Sequence, residues 1–336
     1  SFSVSSALSA AADGSNTTMP QVLLSSAALS TYDSVTIGNF VYVNGVEVCS
    51  GQYLANGGTK TSPNQPSGGY AYLSGSTLIL NNYSCSTSGT SAVKAFRDLT
   101  ISLLGTNSLA GNSTVILSYG ALEIKNSGSL TVNTSDYNAI YSTGKMTLSA
   151  NVTATTNIGY ALRSDDALLV TGGKVLAQSQ SSKGAYAKGT ISCAGGELTA
   201  EGNIGIESET SVNVNGGTIN ATGKQYGINS YGNVVVNRGS LTVNASNGMG
   251  IQSTGKLLLN GGTTTVTATN HGVSAVGLSA SNNATLLTKS TSGGKALNLT
   301  DTGSGKYFAG SNLAATASTY SDGSKGGPFI LEDVDT

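Results

Sequence analysis

An internal repeat of 21 to 24 residues constrains the fold of this chain more than any other feature of its sequence. Seven units run from residue 120 to residue 277, and each contains three short β segments separated by turns. Repeats of this length stack like residues over like, which predicts a parallel β-helix. One apolar position recurs in every unit and serves here as the reference column: Ile140, Leu162, Ala185, Ile206, Ile228, Ile251 and Val273.

Alternation within each unit predicts which side chains form the core. Residues two apart on a strand share a face, so the apolar positions six and eight residues after the reference column point inward together. A second inward pair follows the next turn, as in Val175 and Ala177. The two columns are Met146, Leu168, Ile191, Val212, Val234 and Leu257, then Leu148, Val170, Cys193, Val214, Val236 and Leu259.

A turn is predicted eleven residues after the reference column, where each unit has Gly or Asn. These residue types adopt a left-handed backbone at low cost, so we expect this conformation at the same corner of every coil. The column is Asn151, Gly173, Gly196, Gly217, Gly239 and Gly262.

These patterns predict an all-β chain that forms a right-handed parallel β-helix, a three-stranded solenoid of about 22–23 residues per coil. The left-handed type is excluded because the chain lacks a hexapeptide repeat. We predict an N-terminal cap over residues 1–75, coils over 76–302 and a C-terminal cap over 303–336, since an open solenoid edge invites aggregation. Asn44-Gly45 predicts a hairpin in the N-terminal cap.

Charge and cysteine content limit the partners. The chain has 16 Lys and Arg against 17 Asp and Glu, so counterion release cannot drive binding, and we expect no nucleic-acid partner. No apolar run reaches the roughly 18 residues of a membrane span, so we expect no membrane insertion. One His and three Cys leave no His-rich site and no four-cysteine zinc site. Cys49 and Cys85 either form a disulfide or remain free thiols.

Composition also indicates the compartment. Ser, Thr, Asn and Gly make up 163 of the 336 residues, and a β protein of this kind is typical of the extracellular space. Because the sequence begins with Ser1, we expect that a leader segment was removed. We expect a monomer.

Three segments between residues 40 and 109 carry a resemblance to a known bacterial pattern. The segments FVYVNGVEV (40–48), TLILNN (77–82) and DLTISLLGTNSL (98–109) are similar to the secreted "carbohydrate-binding domain-containing" proteins of Gram-positive anaerobes. The resemblance covers residues 39–276 and implies a pectate-lyase-like right-handed β-helix at the bacterial cell surface. It further implies binding of a plant or host polysaccharide, in some members with calcium, but no acidic cluster here matches a calcium site.

Two groups of residues in the sequence bear on catalysis. Asp165-Asp166 and Asn270-His271-Gly272 resemble parts of a polygalacturonase site, but the two lie five coils apart, about 24 Å at 4.8 Å per coil. Inverting hydrolysis needs carboxyls about 6.5–9.5 Å apart, so this chemistry is excluded and His271 is predicted to be a turn residue. Arg163, the one arginine beside two acids, gives weak support for a lyase. No catalytic residue is predicted.

A stripe of outward residues is the predicted binding site. The columns one and three residues after the reference column mix tyrosines with charged groups, as a saccharide platform requires. The alternative is a solvated ladder of alternating charge with no ligand, and the absence of Trp favours it. The predicted ligand-binding residues are Tyr141, Arg163, Asp165, Tyr186, Lys188, Glu207 and Tyr231, with Tyr186 and Arg163 pointing to solvent.

We therefore expect a non-enzymatic extracellular β-helix that binds polysaccharide or acts as an adhesin, with no cofactor. The alternatives are a passive spacer within a larger surface protein and a polysaccharide lyase.

Overall fold

A computed structural model describes residues 39–280 and 284–300, together with the backbone of residues 312–316. These residues contain β-strands and no helix. Four strands precede the coils: β1 (Phe40–Val43), β2 (Val46–Cys49), β3 (Tyr53–Ala55) and β4 (Tyr70–Ser74).

Ten coils of three strand segments each follow, and β31 (Asn312–Thr316) comes after them. Three of the coil strands are long and continue through a corner of the solenoid. The coil strands are β5 (Thr77–Asn81), β6 (Ser84–Thr87), β7 (Val93–Ala95), β8 (Leu99–Leu104), β9 (Thr106–Gly111), β10 (Ile116–Ser118), β11 (Leu122–Lys125), β12 (Ser129–Thr134), β13 (Ile140–Ser142), β14 (Met146–Leu148), β15 (Asn151–Thr156), β16 (Leu162–Ser164), β17 (Leu168–Val170), β18 (Lys174–Ser179), β19 (Lys183–Ala187), β20 (Ile191–Cys193), β21 (Glu197–Ser208), β22 (Val212–Ser230), β23 (Val234–Ala245), β24 (Met249–Ser253), β25 (Lys256–Leu259), β26 (Thr263–Ala268), β27 (Val273–Ala275), β28 (Gly277–Ala280), β29 (Thr285–Ser290) and β30 (Leu297–Leu299).

Each strand segment pairs in parallel with its counterpart in the next coil, so the coils build three parallel sheets. The first sheet contains β5, β8, β11, β14, β17, β20, the starts of β22 and β23, β25 and β28. The second sheet contains β6, β9, β12, β15, β18, the start of β21, the middle of β22, the end of β23, β26 and β29. The third sheet contains β7, β10, β13, β16, β19, the ends of β21 and β22, β24, β27 and β30. The predicted reference column is confirmed, because Ile140 pairs with Leu162, and the pairing continues through every unit to Val273.

The interior is aliphatic, as the alternation predicts. All twelve side chains of the two predicted inward columns, Cys193 among them, are at most 1% exposed. Serines two residues after the reference column are also buried, and their hydroxyls bond to turn carbonyls. Ser164 Oγ donates to Gly144 O at 3.0 Å, and Ser208 Oγ donates to Gly189 O at 2.9 Å. These bonds satisfy polar groups that would otherwise destabilise the core.

The predicted turn column is right at four positions and wrong at two. Gly173, Gly196, Gly239 and Gly262 have φ of 68°, 69°, 90° and 74°. Asn151 instead begins β15 and bonds the amide of Lys174, because its turn is one residue shorter than the next. In the coil of Gly217 the positive φ of 150° falls on Gly216.

Antiparallel strands cover open edges of the solenoid. At the N-terminal end, β1 pairs with β7, and β4 pairs with β5. β1 and β2 form the predicted hairpin, with Asn44 at φ 52° and Gly45 at φ 73° in its turn. At the other end β31 pairs antiparallel with β29. Residues 1–38 and most of 303–336, which the predicted caps include, lie outside the described residues, and the cap boundaries stay predictions.

Cys49, Cys85 and Cys193 are free thiols, so of the two alternatives for Cys49 and Cys85 the structure has the thiols. Burial raises the pKa of the Cys85 thiol to about 11. Burial likewise raises the pKa of Cys193, and burial together with the adjacent Glu47 carboxylate raises the pKa of Cys49. All three thiols therefore stay protonated at neutral pH.

Gly217 tests the close stacking of the coils. A Cβ at this position would lie 2.5 Å from Cys193 Sγ and 2.8 Å from Gly196 O. Gly217→Ala should therefore destabilise the fold by about 1–3 kcal/mol, measured by thermal denaturation. Gly277→Ala is the matched control, since its Cβ would approach nothing closer than 3.8 Å. Equal melting temperatures for the two variants would contradict this packing.

Candidate functional site

The outer face of the third sheet brings the predicted stripe into register. Tyr141 pairs with Arg163, Arg163 with Tyr186, and Tyr186 with Glu207. Asp165 and Lys188 lie two residues beyond Arg163 and Tyr186, on adjacent coils. Strand alternation thus places all seven predicted residues on the same face. We call this surface the stripe: Tyr141, Arg163, Asp165, Tyr186, Lys188, Glu207 and Tyr231.

Asp165 is the centre of a polar cluster. Its carboxylate accepts hydrogen bonds from Arg163 Nε at 3.2 Å, Lys188 Nζ at 3.1 Å and the Tyr141 hydroxyl at 3.0 Å. The Arg163 guanidinium also lies 4.6 Å from the centre of the Tyr141 ring. Burial by itself would raise the pKa of Asp165, but the bonds from Lys188 and Tyr141 and the charge of Arg163 outweigh it and lower that pKa. The aspartate is therefore ionised at neutral pH.

A second cluster forms around Lys183, which the sequence prediction missed. Lys183 Nζ bonds Glu207 Oε1 at 2.5 Å and lies 5.0 Å and 4.6 Å from the ring centres of Tyr160 and Tyr186. Lys183 and Tyr160 belong to a third outward column, two residues before the reference column. That column also contains Tyr226 and could have been found by extending the same alternation backwards.

Two of the predicted ligand-binding residues are covered by their neighbours. Tyr186 and Glu207 are each only 7% exposed, so the prediction that Tyr186 points freely to solvent is wrong. The Tyr186 ring packs against Tyr160 at 5.2 Å, and its hydroxyl donates to Glu209 Oε1. Burial, followed by this bond, raises the pKa of Tyr186. The missed column accounts for the burial, because its side chains lie beside Tyr186.

Tyr231 and Lys188 remain open. Tyr231 is 56% exposed, and the Lys188 side chain is 47% exposed. Two apolar side chains border the face at the turns that lead into the third sheet: Tyr137 at 58% and Ile158 at 60%. Neither was predicted, because turn residues fall outside the strand alternation.

The charges of this face largely cancel. Arg163 and Lys188 pair with Asp165, and Lys183 pairs with Glu207. Within the described residues, the terminal nitrogens of Arg163 have no hydrogen-bond partner. Chemically, this arrangement offers exposed rings and a few hydrogen-bond donors on a rigid and nearly neutral surface.

The other predicted features occupy separate places. His271 Nδ1 accepts the amide of Lys295 at 3.0 Å, in a turn five coils from Asp165. Among residues 39–280 and 284–300, no three His, Cys, Asp or Glu side chains converge as metal ligands. A shallow depression of about 390 Å³ lies on the second sheet, lined by Thr131, Thr153, Leu176 and Thr199, among others.

A family model described as "Carbohydrate-binding domain-containing protein" matches residues 77–226 and 181–327. No curated protein and no solved structure matches the chain. In the part of the chain that the structure describes, no helix is long and apolar enough to cross a membrane.

Asp165 predicts an acid dependence of stability. Its pKa is lowered from 3.8 in the fold, so the ionised group stabilises the protein above that pH and the contribution is lost as the pH falls further. Asp165→Asn should cost about 1 kcal/mol at pH 7 and little at pH 2, measured by thermal denaturation. Asp166→Asn, at an exposed neighbour, is the control. If both variants lose the same stability at both pH values, Asp165 does not hold the cluster.

Proposed function

Because the chain belongs to the family of carbohydrate-binding domain-containing proteins, we propose that it binds polysaccharide on the outer face of its third sheet. In this proposal it is a non-enzymatic protein of the bacterial cell surface, which acts as an adhesin or retains a glycan. Family membership supports the sugar-binding role, and the surface features below support the location of the site.

The distribution of exposed apolar side chains carries this proposal. Six large apolar side chains of the described residues are exposed, and three of these are tyrosines. Tyr119 and Tyr231 directly follow strands of the third sheet, and Tyr137 and Ile158 lie in the turns between the second and third sheets, whereas the depression on the second sheet contains no aromatic ring. Tyrosine supplies a flat apolar face with a polar hydroxyl, which suits the apolar faces of sugar rings. The tyrosines are Tyr119, Tyr137 and Tyr231.

The dimensions of the face suit a chain ligand. Tyr141 and Tyr231 are four coils apart, about 19 Å at 4.8 Å per coil, which is long enough for several sugar units. Sugar rings would stack on Tyr231 and Tyr137, while Lys188 and the terminal nitrogens of Arg163 donate to hydroxyls. Tyr186 and Glu207 hold this surface in shape from beneath, without touching the ligand. The side chains of Arg163, Lys183 and Lys188 are already held by ion pairs. Binding would therefore cost little additional side-chain entropy.

A non-enzymatic role is supported by the state of the charged groups. Asp165 accepts bonds from three donors, which leaves it poorly placed as an acid or base. Lyase chemistry would require a basic group beside the substrate, and the Arg163 guanidinium instead stacks on Tyr141.

A passive spacer is the second candidate, and the pairing of charges on the stripe favours it. A face whose ions neutralise each other is stable in solvent without a ligand. A glycan array, measured once with added calcium and once with a chelator, distinguishes a polysaccharide-binding protein from a passive spacer. Retention of at least one polysaccharide supports the binding role, whereas no retention under either condition supports the spacer.

The exposed tyrosines should carry affinity. Tyr231→Ala and Tyr137→Ala should each weaken binding of the best array ligand about fivefold, measured by calorimetry, because each removes one stacking surface. Neither should lower the melting temperature appreciably, since both side chains are more than half exposed.

Two further variants serve as controls. Leu104→Ala removes a 41% exposed side chain outside the third sheet and should leave binding unchanged. Tyr186→Ala should destabilise the fold, because that ring is nearly buried. Parent-like affinity in both Tyr231→Ala and Tyr137→Ala would place the site elsewhere.

A further inference from the structure

A second aromatic cluster lies on the same face, at its N-terminal end, and was not part of the predicted site. Phe96 and Tyr119 are stacked at 5.6 Å with an angle of 8° between their planes. Tyr42 packs edge-on against Phe96 at 6.2 Å, and Phe40 lies 6.3 Å from the same ring. We call these four rings, together with Lys94, the Lys94 cluster.

Lys94 differs from the cations of the stripe in having no acidic partner. Its Nζ lies 4.9 Å from the centre of the Phe96 ring and 5.8 Å from that of Tyr119. Its neighbours along the sheet, Tyr42 and Leu117, are uncharged. Among the described residues no carboxylate lies within ion-pair distance of Lys94, whereas Arg163, Lys183 and Lys188 are all paired.

The nearest acidic residue along the sheet is already engaged. Glu47 faces Tyr42 on the far side of β1, and its carboxylate accepts the Tyr42 hydroxyl at 3.4 Å. Lys94 therefore presents an unneutralised positive charge at the edge of an aromatic surface. An ammonium group of this kind pairs readily with a carboxylate of a bound ligand.

The cluster is continuous with the stripe. Tyr119 lies one coil before the coil of Tyr141, and Lys94 lies two coils before it, about 10 Å at 4.8 Å per coil. A glycan chain lying along the solenoid axis over the stripe would reach Lys94 without bending. Tyr119 is 39% exposed, and the face of its ring that Phe96 does not cover would be the next stacking surface along that path.

We propose that the Lys94 cluster is a subsite for an acidic sugar, in which Lys94 pairs with the carboxylate of a uronic unit and Tyr119 stacks on its ring. This inference rests on the proposed function and names the ligand class, an acidic polysaccharide. The carboxylate contact is assigned to Lys94 rather than to Arg163, because Arg163 already bonds a carboxylate of the protein, that of Asp165.

The test compares matched ligands on the whole chain. Oligomers of galacturonate, alginate and hyaluronan are each measured by calorimetry against their carboxyl-reduced, neutral counterparts. At least one acidic oligomer should bind threefold or more tightly than its neutral counterpart, and the preference should decline with added salt. Lys94→Gln should bring the ratio close to one, and Lys94→Arg should retain the preference.

Lys174→Gln is the control, because Lys174 is exposed on the second sheet and should not affect the ratio. A preference that survives in Lys94→Gln, or that is lost equally in Lys174→Gln, overturns the subsite. Binding of neutral and acidic forms with equal affinity also overturns it but leaves the proposed function intact. If neither these oligomers nor any glycan on the glycan array binds, both proposals fail.

Discussion

Parallel stacking of one coil directly over the next is the constraint on which the rest of this structure depends. A strand spacing of about 4.8 Å brings each side chain against its counterpart 21 to 24 residues away. Inside the solenoid this packs like aliphatic side chains in columns, with serine hydroxyls bonded to turn carbonyls. Outside, the same spacing places charged and aromatic side chains close enough to bond. The ion pair between Asp165 and Lys188, which lies on the next coil, is a direct consequence of that register.

The register also explains which parts of the molecule could be predicted from its sequence. The repeat length and the alternation of apolar residues depend only on the spacing of residues along the chain. They therefore identified the reference column and the inward columns. The turns were harder, because a single extra residue before Gly173 moves Asn151 out of the corner without disturbing either flanking strand. In the sequence, the missing residue shows only in the inward pair Val152 and Ala154, which comes one residue sooner than the equivalent pair Val175 and Ala177.

The sequence predicted which face of the solenoid the side chains of the candidate site occupy, but it did not predict how exposed they are. Alternation places Tyr186 and Glu207 on the outer face, which is correct, yet both are covered by side chains of the neighbouring column. Exposure depends on which long side chains fold over which neighbours, and strand periodicity does not contain that information. The same limit hid Tyr137 and Ile158, since both project from turns. The positive and negative side chains of the stripe are equal in number, and exposed rings lie at its two ends and along its border.

The central claim is that the third sheet, rather than the Thr-lined second sheet, receives the sugar. Its most direct test is a crystal structure of the protein with an oligosaccharide that it retains. The account predicts electron density for sugar rings along the third sheet, over Tyr231 or Tyr137. Density confined to the depression around Thr153 and Leu176 on the second sheet would contradict it.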